Sequence, residues 1–479
     1  MLFNSVIFLL VFLPLALLGW YGLRSTKLRL LFLTLMSFVF YAFWDWRFLG
    51  LMLASIFVDY AVGQQIARHN DVNRKKAKRW LWVSLASNLG MLAFFKYFNF
   101  FVDSLNFVLP PDGEIKSALE VVLPVGISFY TFQSMSYSLD IYQRKAQPAQ
   151  SMLHFSAYVA MFPQLIAGPI VHYKKLHHQL QDLKRAINWE QFYDGVYLFV
   201  FGLARKLFIA DFFAAQADLY FGQGYEVQFI GAWVAVLCYT IQIYFDFSAY
   251  SEMAIGLGKM LGFEFPTNFN SPYKARSFSD FWRRWHITLS KFLRDYLYIP
   301  LGGNRKGKTR TMVNLMITML LGGLWHGATW MFVIWGAIHG VFLALERVIK
   351  EQANLDLGKL KLWRWAVFIG VCFAWVFFRA ETMDSALFTL KAMCGLEGFE
   401  TFDLTYNFHG IPLPEFVRYN GGVKLFAGLA IALLGMQVLP NTQQVKPRRK
   451  TWFAVLLALI LLICLLYVDK PSPFIYFQF

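Results

Sequence analysis

Residues 5–23, SVIFLLVFLPLALLGWYGL, contain no charged side chain, and neither do residues 451–468, TWFAVLLALILLICLLYV. Each run is close to the ~20 apolar residues that cross a bilayer as a helix. A chain built from such runs must satisfy its backbone within helices, because lipid offers no hydrogen-bonding partner. Composition agrees: of 479 residues 57% are hydrophobic and 15% charged, against about 25% charged in a soluble domain. The sequence is therefore expected to fold as an all-α polytopic membrane protein. The amino terminus has neither a basic leader nor a small-residue cleavage site, so it reads as an uncleaved first span.

Cys238, Cys372, Cys394 and Cys464 are far apart in the chain. Their spacing gives neither a metal motif nor a disulfide framework, and they read as small packing residues. No internal repeat is evident, and no long Ser, Pro or Gly linker divides the chain. Residues 1–479 are treated as one domain: amino-terminal spans over 1–150, a core with broken segments over 151–350, and carboxy-terminal spans over 351–479.

The net charge of +16 is informative for where it falls. Basic loops mark the cytoplasmic side of a membrane protein. RSTKLR (24–29), RHNDVNRKKAKRW (68–80) and QRKAQPAQ (143–150) are basic, whereas VDSLNFVLPPDGEIKS (102–117) is acidic. This alternation places the amino terminus outside. Further spans are expected near 192–212, 228–249, 363–378, 423–440 and 451–468, about eleven in all, with a weakly acidic outer segment at 380–422.

Two stretches break the simple pattern. FSAYVAMFPQLIAGPIV (155–171) is apolar but has basic sequence on both flanks, and Pro163, Gly168 and Pro169 interrupt it. It reads as re-entrant, which requires cover by protein or a watery cavity. Residues 274–310 interleave Arg283, Arg284, Lys291 and Arg294 with apolar positions at helical spacing. That is the pattern of an amphipathic helix lying at the cytoplasmic interface.

His326, in LGGLWHGATW (321–330), stands inside apolar sequence, where an ionisable side chain is costly. A helix over 311–324 is too short to cross. Gly322, Gly323 and Gly327 allow a bend, so His326 is expected near the tip of a hairpin whose second arm is 328–349. His286, in FWRRWHITLS, is expected near the cytoplasmic face, with the two imidazoles at opposite ends of one passage. Each also admits a plain reading as a hydrogen-bonded structural residue. His339, in WGAIHGVF, reads as structural, and His172, His177 and His178 as solvated. No spacing supports a metal site. IQIYFDFSAYSEMAIGLG (241–258) places Asp246, Ser248, Tyr250 and Glu252 at the end of a span, before the breaker-rich GFEFPTNFNSPY. Those polar residues fit a cavity wall or a capping loop equally well.

FWRRWHITLSKFLRDYLYIPLGGNRKG followed by LLGGLWHGATW resembles the paired histidine motifs of membrane-bound O-acyltransferases. YFDFSAYSEMAIGLGKMLGFEFPTNFNSPY, LPVGISFYTFQSMSYSLDIY and FPQLIAGPI are similar to the bacterial branch that acetylates exported polysaccharides. The likeness runs from residue 1 to about 380 and resumes in FIYFQF at the end. Many eukaryotic members have Asn at the first motif position; here it is His286.

The resemblance implies helices around a central tunnel, with His326 as the active-site histidine and His286 as its partner. Trp325, Asp246, Ser248, Tyr250 and Asn268 would line the tunnel, on neighbourhood alone. It also implies acetyl-coenzyme A as a cytoplasmic donor, with no permanently bound cofactor. Arg283, Arg284, Lys291 and Arg294 would hold the donor's phosphates, although attraction to lipid headgroups would use the same residues. Expected partners are the lipid bilayer, extracytoplasmic acetyltransferase proteins and a polysaccharide acceptor, such as alginate, cellulose or a cell-wall glycan, with no nucleic acid. The chain would then sit in a bacterial inner membrane. A transporter or flippase for a lipid-linked saccharide is the alternative, since broken segments and a polar midplane also suit transport. A non-catalytic scaffold of an export complex is a third.

Overall fold

A computed structural model describes residues 1–110, 115, 121–183, 186–222, 227–399, 422–468 and 474–475. Among them every regular element is helical. Three helices are long and apolar enough to cross a bilayer, Arg47–His69 (α3), Phe229–Met260 (α11) and Trp330–Gln352 (α15). A fourth is added if Arg74–Phe95 (α4) and Phe98–Asn106 (α5), bent by 56°, count together. The described residues group into two compact units.

The first unit comprises residues 1–203, 250–267 and 446–479. Its helices α1 (Leu13–Gly22), α2 (Thr26–Ala42), α3, α4 and α6 (Ile127–Tyr142) fall where the apolar runs and basic loops predict. Fourteen of the sixteen residues of α6 are buried, seven of them polar or acidic. On α3, Asp59 accepts hydrogen bonds from Ser84 Oγ (2.5 Å) and Asn88 Nδ2 (2.8 Å) of α4. Polar contacts of this kind hold helices together where lipid supplies no hydrophobic drive. In the segment expected to be broken, α7 (Met152–Ala160) stops before Pro163, and residues 161–172 are irregular and wholly buried before α8 (Tyr173–Gln181). The Tyr158 hydroxyl lies 2.8 Å from the Val171 carbonyl and 3.2 Å from that of Gln133, tying the irregular stretch to α6.

The second unit comprises residues 204–249 and 268–445. It takes in the end of α9 (Trp189–Arg205), a π-helical turn at Lys206–Ala210, α10 (Asp211–Gly222), the first two thirds of α11, and α12 (Phe278–Arg284) with α13 (Ile287–Leu293). These are followed by α14 (Lys308–His326), α15, α16 (Trp363–Arg379), α17 (Met383–Met393) and α18 (Gly422–Val438). The outer segment expected at 380–422 falls largely on residues 400–421, which lie outside the described residues.

Two expectations are corrected. The span expected to end at 249 continues as helix to Met260. Its polar residues Asp246, Ser248, Ser251 and Glu252 are buried in protein, so their polarity marks interior contacts and not a helix end. The stretch 274–310 is not one interfacial helix: α12 and α13 are two short helices separated by Trp285 and His286. His286 has φ 40° and ψ 54°, in the left-handed region that stops a helix. The break turns Trp285, His286 and Thr288 inward, where all three are buried.

Candidate active site in the second unit

The α14–α15 hairpin builds one half of the site. α14 ends at His326, and α15 starts four residues later. A Cβ on Gly323 would land on the Phe332 carbonyl oxygen, and one on Gly336 on that of Met319. These glycines let the two backbones touch, which presses the end of α14 against α15. Both imidazoles are consequently deep in the unit, His286 fully buried and His326 2% exposed.

Their ring centroids are 6.2 Å apart at an interplanar angle of 67°. They are therefore neighbours, not the ends of a passage, because the α12–α13 break carries His286 inward to meet the hairpin tip. Trp325 is edge-on to both, 5.8 Å from His286 and 5.1 Å from His326. Trp335 (5.0 Å) and Phe378 (5.3 Å) complete an aromatic wall around His326, and Phe247 (4.7 Å) stands edge-on to His286. Trp375 lies behind Trp335, stacked at 5.8 Å, and its indole N–H donates to Tyr273 Oη at 3.2 Å.

Asn268 sets the chemistry of His286. Its side-chain oxygen accepts from the Thr288 backbone N–H (3.2 Å) and hydroxyl (2.9 Å), and lies 3.2 Å from His286 Nδ1. A backbone N–H can only donate, so the amide atom there is the oxygen. Nδ1 must then carry the ring hydrogen, and Nε2 the lone pair. His286 lies outside the spanning helices, and burial pushes its pKa down to about 3, so the ring is neutral at physiological pH. Asn268→Leu removes the oxygen and leaves the tautomer unset. It is expected to cut turnover about tenfold, the worth of one buried hydrogen bond, measured as initial rate per folded molecule.

The other anticipated residues are placed as follows. Asp246 is in an ion pair with Lys206 at 2.6 Å, and Lys206 also pairs with Asp211 at 2.7 Å. Ser248 is buried nearby on α11. Tyr250 belongs to the first unit, where it stacks on Phe3 and meets Phe474 edge-on. Arg284 pairs with Asp280 and Arg294 with Asp295, and Lys291 is half-buried. Arg283 is exposed and makes no ion pair among the described residues.

Arg283 lines a cleft of about 640 Å³, together with Arg347 and Lys350 of α15, Leu315 of α14, Glu346 and Glu351. Glu346 is occupied: it accepts from the Phe278 and Ser279 backbone N–H groups and from Trp363 Nε1. Leu315 is eleven residues before His326 on one helix, about 16 Å at 1.5 Å per residue. In the same cleft Arg347 pairs with Glu351 at 2.7 Å and Lys350 with Asp356 at 2.9 Å, so its charges are mixed and Arg283 is the cation without an ion pair among the described residues. The chain thus combines two buried imidazoles, one in a fixed neutral tautomer, with a charged cleft on the same helices.

Residues 146–380 match the membrane-bound O-acyltransferase family. The whole chain aligns with a probable alginate O-acetylase, AlgI, of Azotobacter vinelandii at 40% identity, covering 100% of both. The chain belongs to the membrane-bound O-acyltransferase family. It is also 40% identical to a peptidoglycan O-acetyltransferase of Helicobacter pylori, over 83% of this chain and 80% of that one. A teichoic acid D-alanyltransferase of Bacillus subtilis is 25% identical over 54% of the chain. The protein is an O-acyltransferase, and the matched region contains both histidines, the cleft and the aromatic wall. Sequence reasoning missed Trp335, Phe378, Arg347 and Lys350. The signal for Trp335, Arg347 and Lys350 was the recurrence of Trp335, His339, Leu343, Arg347 and Lys350 every three or four residues along α15; Phe378, on α16, had no such signal.

Proposed function

We propose that this protein is a bacterial inner-membrane O-acetyltransferase that takes acetyl from cytoplasmic acetyl-coenzyme A and passes it across the membrane for O-acetylation of an exported polysaccharide. About eleven spans with the amino terminus outside follow from the alternation of basic loops. The observation that carries the reading is the pair of buried imidazoles 6.2 Å apart inside aromatic walls. The names of the full-length relatives favour a polysaccharide acceptor, alginate-like, cellulose or a cell-wall glycan, reached directly or through an extracytoplasmic partner protein.

In the mechanism, coenzyme A stays at the charged cleft with its phosphates on Arg283, Arg347 and Lys350, because such a charged group does not enter hydrocarbon. Only the thin acetyl-bearing arm reaches inward. His326 removes the acceptor hydroxyl's proton as that oxygen attacks the thioester carbonyl. The tetrahedral adduct collapses with loss of the thiolate, which takes up a proton to leave as free thiol. His286, neutral with Nε2 as acceptor, orients a reacting hydroxyl or relays its proton. General acid–base help of this kind is worth ~10²–10⁴-fold.

Inside-out membrane vesicles containing the protein and its acceptor system test the donor. With acetyl-labelled coenzyme A outside the vesicles, label is expected in acid-stable polymer within the lumen. Arg283→Glu is expected to raise the donor KM about tenfold or more by turning a phosphate contact into repulsion. A lipid-linked saccharide that moves into the lumen while acetyl-coenzyme A is not consumed would favour a transporter.

A further inference from the structure

His339 is not used by the mechanism above, and its surroundings do not satisfy it. The ring is fully buried on α15, parallel to Phe281 at 5.9 Å and edge-on to Trp282 at 5.1 Å and Trp335 at 4.8 Å. Neither of its nitrogens has a hydrogen-bond partner among the described residues, and neither do the buried indole N–H groups of Trp282 and Trp335. A neutral imidazole presents one donor and one acceptor. Three touching rings therefore hold three unspent donors and one unspent acceptor. Buried polar groups are nearly always paired, so a cluster of this kind calls for a polar occupant.

Its position says which. Residues three or four apart share a helix face, and Lys350, Arg347, Leu343, His339 and Trp335 follow one another along α15. The first three line the charged cleft, while Trp335 touches His326. On α12, Trp282 touches His339, and its neighbour Arg283 lines the cleft. From Arg347 to Trp335 is about 18 Å of helix, and His339 stands one turn from the cleft residue Leu343 and one turn from Trp335.

We propose that His339, with Trp282 and Trp335, is a binding station for the amide groups of the thioester donor's arm, midway between the cleft and the histidine pair. This rests on the acetyl-coenzyme A reading. An extended arm with two amides presents carbonyls to the two indole N–H groups and to the imidazole N–H, and an amide N–H to the imidazole lone pair. In this structure the three rings close on one another. Trp282, the least buried of them, is the ring that swings aside on entry.

The test compares acetyl-coenzyme A with S-ethyl thioacetate, which carries the same acyl group and no amide. His339→Phe keeps the ring and its stacking but removes both nitrogens, whereas His339→Gln keeps one donor and one acceptor. The ratio of kcat/KM for acetyl-coenzyme A to that for S-ethyl thioacetate is expected to fall about tenfold or more in His339→Phe, mostly through KM. His339→Gln is expected to retain most of the ratio. A fall of both donors in proportion, leaving the ratio at its original value, would overturn the proposal in favour of a packing role. Wild-type protein that uses S-ethyl thioacetate but gains nothing from coenzyme A would instead overturn the donor reading, and this one with it.

Discussion

His326→Ala is expected to abolish acetyl transfer while the protein still inserts and accumulates. Removing a general base costs ~10²–10⁴-fold, and His286 is not free to take over at that point, because Asn268 holds its ring through Nδ1. Alanine also empties a site walled by Trp325, Trp335 and Phe378, so packing and chemistry must be separated. His326→Phe does so, since it refills most of the volume among aromatic neighbours and cannot accept a proton. Both variants are expected to lose transfer, assayed as acetyl released from labelled coenzyme A per mole of folded protein. The Phe variant is expected to unfold in detergent at a temperature close to that of the original. Activity retained in His326→Phe would remove His326 from proton transfer and would leave the site without an identified base.

The sequence-level reading succeeded where a single physical rule dominates. Apolar runs and basic loops located α2, α3, α4 and α6, and Gly327 located the hairpin turn. Gly322 and Gly323 do not bend the chain as expected, because α14 runs through both to His326. Breakers located the irregular stretch after α7. It failed where interior contacts override the local pattern. The polar residues 246–252 resemble a helix end only if lipid is assumed to surround them, yet they are buried in protein. The alternation of Arg283, Arg284 and Lys291 with apolar residues suits a surface helix only if the chain stays helical through His286. A left-handed histidine is not visible in residue type, and it is what brings the two imidazoles together. Asn268 was legible as a polar residue near the site but not as the group that fixes a tautomer, because its partners His286 and Thr288 are about twenty positions away.

The second large effect is expected at Lys206. Its ammonium is buried and lies 2.6 Å from Asp246 and 2.7 Å from Asp211. A π-helical turn at Lys206–Ala210 adds a residue to this part of the chain, a device often found where a helix must re-aim a side chain. Lys206→Met leaves the Asp246 carboxylate at 2% exposure without its cation, and an orphaned buried charge costs about 3–5 kcal/mol. Asp246→Asn is milder, because Lys206 keeps Asp211. The expected order of unfolding temperature in detergent is original, then Asp246→Asn, then Lys206→Met, with Lys206→Met/Asp246→Asn recovering to near the Asp246→Asn value. Recovery in the double variant identifies an unpaired charge, not lost lysine packing, as the source of the damage; equal loss in single and double variants would assign it to packing. The consequence reaches the chemistry through one covalent step, since the residue after Asp246 is Phe247, whose ring braces His286 at 4.7 Å. Lys206→Met is therefore expected to lower kcat as well as stability, and the double variant to restore both together.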